Sequence, residues 1–132
     1  MDVDVAMLAR FTASSPLQAL IAGRAYWGER PQNVQGDCLT MQQIDNGRLY
    51  THDGASDLNI APFQINCWGS NYQAARALSR LVIAAIEPPA TVGNVRFDQS
   101  FLTNDIPAPV EDLPGGGKVH RRILEFSIYW KE

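Results

Sequence analysis

Residues Asn59 to Glu87 read NIAPFQINCWGSNYQAARALSRLVIAAIE, and two periods meet in them. From Ile60 to Trp68 the residues alternate. Ala61, Phe63, Ile65 and Cys67 share one side, and Pro62, Gln64, Asn66 and Trp68 share the other. That is the period of a strand with one buried face. Pro62 has no N–H for a ladder, so it belongs near the strand start or on an edge. Past Gly69-Ser70 the period becomes helical: Ala75, Leu78, Val82, Ala85 and Ile86 form a stripe, widened by Ala74, Ala77 and Leu81. Ser70 and Gln73 fit a capping box, with the Ser70 hydroxyl accepting from the Gln73 amide. Pro88-Pro89 stops the helix. A strand that turns tightly into a helix packed closely on a sheet decides the architecture.

Toward the N-terminus, Val3, Met7, Leu8 and Phe11 recur at helical spacing behind Asp2 and Asp4, whose carboxylates suit the positive end of a helix. A second short helix has Ser15 as N-cap, Pro16 at its first position, Leu17, Leu20 and Ile21 on its buried side, and Gly23 at its end. Arg24 to Trp27 reads as a brief strand or extended turn. Glu29 to Asp37 is a loop, Cys38 to Ile44 a strand, Asp45-Asn46-Gly47 a turn and Arg48 to Thr51 a short returning strand. His52 to Asp57 reads as a further loop.

Toward the C-terminus, Val95 to Thr103 alternates with Val95, Phe97 and Phe101 on one face. Asn104 to Lys118 holds Pro107, Pro109, Pro114 and Gly115-Gly116-Gly117, and reads as a long mobile loop. Val119 to Trp130 has the cleanest strand pattern, with Leu124, Phe126, Ile128 and Trp130 on one face and Arg121, Ile123, Glu125, Ser127 and Tyr129 on the other. The expected fold is α+β: a single, largely antiparallel sheet with helices packed on one face and a long C-terminal hairpin.

The 132 residues suit one domain, and 45% hydrophobic residues suffice for a core. A formal net charge of −3 gives no general attraction to nucleic acid phosphates; Arg121-Arg122 is the one tight basic pair. The opening MDVDVAMLARF has two acids and no basic segment, so no secretory signal is expected, and no apolar run is long enough to span a membrane. The two cysteines, Cys38 and Cys67, make no disulfide framework, and with His52 and His120 they make no zinc spacing. No cofactor or metal is expected.

Each candidate for chemistry has a plainer reading beside it. Cys67 as a nucleophile needs a base, and no histidine is placed near it; its position on the apolar strand face suits a core residue. Pro114 to Lys118 resembles a phosphate loop only loosely, because Val119 and a strand follow the lysine where Ser or Thr and a helix are required. Glu111-Asp112 is an adjacent acid pair in a loop, where solvated charges are the norm. Trp68 is either a partly exposed aromatic at a sheet edge or a subunit contact. Ile83, among Arg76, Arg80 and Glu87, and Tyr26-Trp27 carry the same ambiguity. Together these outliers favour an oligomer over an enzyme.

Several segments resemble the phage tail-completion (tail-terminator) family of long-tailed phages and gene transfer agents. Gly23-Arg24-Ala25-Tyr26 with Pro31 is similar to its G-R-V-Y…P segment, and Phe63 to Trp68 to its x-Q-I-D-x-W/Y strand. Tyr72 to Leu78 resembles its Y-x-E-A-x-x-L helix start, and Arg121 to Trp130 its closing R-R-S-L-D-F-x-I-x-W strand. One departure is Asp37-Cys38, where members carry Pro-Tyr. The order and spacing cover most of the chain, as a single tail-terminator-like domain over 1–132.

The resemblance implies a virion structural protein, assembled in the host cytoplasm. It would form a hexameric homo-oligomeric ring at the head-proximal end of the tail tube, ending tube growth and joining tail to head. Its partners would be the tail-tube protein and head-tail connector or adaptor proteins, with DNA passing through the lumen without specific binding, and no membrane. A related neck component is the nearest rival, followed by a dimeric binding module or a small thiol hydrolase. Ring closure needs two different patches per subunit. The expected subunit interface comprises Trp27, Trp68, Arg76, Arg80, Ile83 and Tyr129. The expected partner-docking loop carries Glu111, Asp112, Leu113 and Lys118, with Gln32 to Asp37 and Asp53 to Asp57 in similar roles.

Overall fold

The structure is a computed structural model that describes residues 2–29, 36–45, 47–51, 54–112 and 116–132. Its spine is two long antiparallel strands, β4 (Gly54–Gly69) and β9 (Lys118–Lys131), paired without interruption from Leu58↔Lys131 to Gly69↔His120. On the far side of β4 lie β2 (Cys38–Gln43) and β3 (Arg48–Thr51), and β1 (Ala25–Trp27) adds to β2 in parallel. On the far side of β9 lie β6 (Val95–Phe97) with β5 (Ala90–Val92), then β7 (Phe101–Pro107) and β8 (Glu111–Asp112). The architecture is the expected α+β one.

The alternation of β4 and β9 delivers the core. Ala61, Phe63, Ile65 and Cys67 stand opposite Ile128, Phe126, Leu124 and Arg122, and of these eight all but Arg122 are buried. Leu39 and Met41 of β2 extend the same face. Three helices cover it: α1 (Val3–Ala13) with Met7 and Phe11, α2 (Ser15–Ile21) with Leu17 and Ile21, and α3 (Tyr72–Ile86) with Leu78, Val82 and Ile86. The Phe63 ring meets Trp27 and Trp130 edge-on, at 6.0 and 5.7 Å between centroids.

Two glycines are required by their surroundings. A Cβ at Gly69 would come within 2.7 Å of the Ala75 nitrogen, so the end of β4 lies directly against the first turn of α3. Gly47 has φ +78° and a Cβ there would strike the Trp130 ring at 2.6 Å.

The structure departs from these expectations at several places. α3 is capped one residue later than expected: the Asn71 side chain, not Ser70, accepts from the Ala74 nitrogen at 2.8 Å. α2 begins one residue earlier than expected, at Ser15, with Ser14 as N-cap and no side-chain cap bond. β4 takes in residues 54–57, expected as loop, because β3 pairs back on them through Tyr50↔Ala55 and Thr51↔Gly54. Lastly, Val95 to Thr103 is not one strand. Phe97 pairs with Trp130 and Phe101 with Ser127, so four residues advance against three on β9. The extra residue is a bulge and reverses the alternation beyond it. Ser100 turns inward and is buried, and Phe101 turns out. A second shift lies between Leu102 and Asn104.

The expected mobile loop is also largely ordered. Asn104 to Pro107 belong to β7, Ala108 donates its N–H to the Arg121 carbonyl, and Glu111 and Asp112 pair with Val119 and Lys118. No helix among the described residues is long and apolar enough to cross a membrane.

Candidate subunit interface

The helices all pack on one side of the sheet, which leaves the side built from Thr40, Gln42, Gln64, Asn66, Trp68, Arg121, Ile123, Glu125 and Tyr129 without a covering layer among the described residues. Trp68 stands here, but on a central strand and not at an edge. It is half-buried, its indole Nε1 donates to the Thr40 hydroxyl at 3.0 Å, and the Arg121 guanidinium lies 5.1 Å from its ring centroid. Arg121 is its cross-strand neighbour. The Arg121 Nε is buried and has no hydrogen-bond partner. Tyr129 lies on the same face, half-buried against the ring of Phe101 at 5.7 Å.

The other expected interface residues are divided. Arg76 and Arg80 are exposed on α3, one turn apart. Ile83 is not a lone apolar residue among charges: it is half-buried and packs on the core, because Ser79 is itself buried and extends the covered face of α3 toward it. Trp27 is likewise drawn inward. Its indole donates to the Asp4 carbonyl at 3.2 Å and its ring packs on Phe63, so it fastens α1 to the sheet. Glu111, Asp112 and Lys118 are exposed on the β8–β9 hairpin. Leu113, His52, Asp53 and residues 30–35 lie outside the described residues.

Two arginines, Arg122 and Arg10, tie neighbouring elements together. Arg122 Nε donates to the Asp105 carboxylate at 2.5 Å, and its Nη1 donates to the Tyr72 hydroxyl at 3.3 Å. The same Asp105 bond holds the Arg122 pKa above its ordinary value. Arg10, on α1, is buried; its guanidinium donates to the Ala85 and Pro88 carbonyls at 3.0 and 2.7 Å and lies 4.9 Å from the Phe97 centroid. It satisfies carbonyls at the C-terminus of α3 that the helix leaves unpaired.

The candidates for chemistry are placed as follows. Cys67 and Cys38 are both fully buried. Burial pushes the Cys67 thiol pKa well above its ordinary value, which suppresses the thiolate. Among the described residues no three His, Cys, Asp or Glu gather as a metal site.

Sequence reasoning missed a run of exposed apolar side chains. Phe101 (51% exposed), Leu102 (36%), Ile106 (45%) and Val110 (48%) lie on or just beyond β7. β7 pairs with β9 alone among the described strands, so its other edge is open. The alternation that could have revealed them is broken by the two register shifts.

A one-sided sheet with an open apolar edge is a surface suited to contact with other proteins. The chain belongs to the tail completion protein gp17 family, whose model matches residues 5–129. It is a virion structural protein of the phage tail and neck. A solved chain from the structure "Virion of native gene transfer agent (GTA) particle" superposes with a TM-score of 0.76 at 17% identity, over 98% of this chain and 95% of that one. A second solved protein superposes with a TM-score of 0.53 at 13% identity, over 96% of this chain and 92% of its own. No curated protein matches the sequence significantly.

Proposed function

We propose that this protein closes into a homo-oligomeric, hexameric ring at the head-proximal end of the tail tube, where it ends tube growth and receives the head-side connector. The observation that carries this reading is the open edge of β7 with Phe101, Leu102, Ile106 and Val110 exposed. An unpaired strand edge offers main-chain hydrogen bonds to a neighbour, and apolar side chains beside it supply contact area. The sheet's opposite border, at β1 and β3, is built from different residues. A contact between unlike borders is heterologous and closes into a ring when its rotation permits.

The role is structural, with no catalysis. Cys67 is sealed from solvent, and burial disfavours the thiolate that a nucleophile needs. The net charge of −3 suits a lumen that DNA crosses without adhering. The fold shared with a chain of a gene transfer agent virion agrees with a place in a particle. Negative-stain electron microscopy of the purified protein tests the ring, and capture by tail-tube subunit against head-side adaptor tests its position. Rings that bind the adaptor but never the tube would favour another neck component.

A further inference from the structure

On the uncovered sheet face lies a shallow cavity of about 400 Å³, lined by Thr40, Gln42, Gln64, Asn66, Trp68 and Arg121. Arg121 is fixed there by the Trp68 ring, yet its Nε is buried without an acceptor. A buried guanidinium nitrogen left unpaired is costly, and a carboxylate is the group that satisfies it with two parallel bonds. The amides of Gln42, Gln64 and Asn66 beside it can donate to the same oxygens. Glu29 also lines the cavity and makes no ion pair with Arg121.

The chain carries exposed carboxylates of its own on the β8–β9 hairpin, Glu111 and Asp112, and neither makes an ion pair among the described residues. Neither pairs with Arg121 of the same copy. Arg121 leans across β4 onto Trp68, whereas β8 lies on the other side of β9. The hairpin also runs past the end of β4, which stops at Gly69 opposite His120, so its acids project beyond the copy's own sheet. A recess that holds a fixed arginine and a hairpin that projects two carboxylates beside Lys118 are the unlike patches that a heterologous contact between identical subunits requires.

We propose that the Arg121–Trp68 recess receives the acidic hairpin, Glu111 and Asp112, of a second copy of this chain. This rests on the ring reading above and names one of its contacts. The test uses the full chain, with assembly followed by sedimentation and electron microscopy, and folding by circular dichroism. Arg121→Glu and the double variant Glu111→Lys/Asp112→Lys should each fail to form rings alone. Mixed, they should form rings again, because every junction in an alternating ring then restores opposite charges. If Arg121→Glu fails to fold, Arg121→Gln and Glu111→Gln/Asp112→Asn replace the pair. Each should then raise the concentration for half-assembly about 10- to 100-fold, and combining them should add little.

Rings from Arg121→Glu alone, or two assembly-deficient variants that do not rescue each other, would overturn the contact and leave the ring reading standing. In the neutral pair, additive losses would do the same. A wild-type chain that forms no ring at any concentration would remove the ring reading and this contact with it.

Discussion

Phe97 and Phe101 lie four residues apart on one edge of β9 and point to opposite faces of the sheet, the first 1% exposed and the second 51%. The bulge between them moves the apolar side chain from the core face to the exposed face. Phe97→Ala should destabilise the fold by about 3–5 kcal/mol, through lost burial and a cavity beneath Arg10. Phe101→Ser should cost the monomer only about 1 kcal/mol, for the lost pairing with Tyr129, and should reduce self-assembly strongly. Thermal melts and sedimentation of the two variants separate these effects.

Arg10 couples α1 to the end of α3. Arg10→Ala should lower stability by about 2–4 kcal/mol, because the Ala85 and Pro88 carbonyls lose a charged donor. Urea denaturation measures it. A loss below 0.5 kcal/mol, roughly the range of surface substitutions, would mean that water replaces the guanidinium without penalty.

The Arg122–Asp105 pair is partly exposed, at 15% and 30% for the two side chains, so its contribution to global stability is small, about 0.5–1 kcal/mol. Its effect should be local. Asp105→Asn should speed amide hydrogen exchange along β7 while the melting temperature barely changes, and high salt should reproduce part of that loosening.

Cys67 should resist alkylation in the native protein and react only on global unfolding, as mass spectrometry after iodoacetamide would record. The raised thiol pKa also fixes the direction of a pH effect. Below the ordinary thiol value of 9.0 both states hold the proton, and the thiol adds no pH dependence. Above it the unfolded chain ionises while the folded chain does not, so stability falls with rising pH, by at most about 1.4 kcal/mol per unit. Cys67→Ala should remove that alkaline slope and leave assembly intact. Loss of assembly in a folded Cys67→Ala protein would contradict a purely internal role.

Arg80→Glu should weaken assembly with little change in the monomer, since the side chain is exposed on α3. Ile83→Asp belongs to a different class. It places a charge against the core and should unfold the protein before it reports on any interface.

The sequence by itself determined the two-faced strands β4 and β9, the amphipathic α3 and the single-sided sheet. Residues 61–67 and 124–130 repeat every second position, and that period alone selects which side chains meet in the core. It also placed Trp68 and Tyr129 on the uncovered face. Only the tertiary structure decided the rest, because register and bulges depend on what β9 pairs with and not on local pattern. One extra residue between Phe97 and Phe101 turned an expected core phenylalanine outward, and burial of Ser79 drew Ile83 in. Trp27 reads as a surface aromatic until α1 arrives with the Asp4 carbonyl to hold it. Arg121 reads as half of a basic dipeptide until alternation parts it from Arg122, sending one guanidinium onto Trp68 and the other to Asp105.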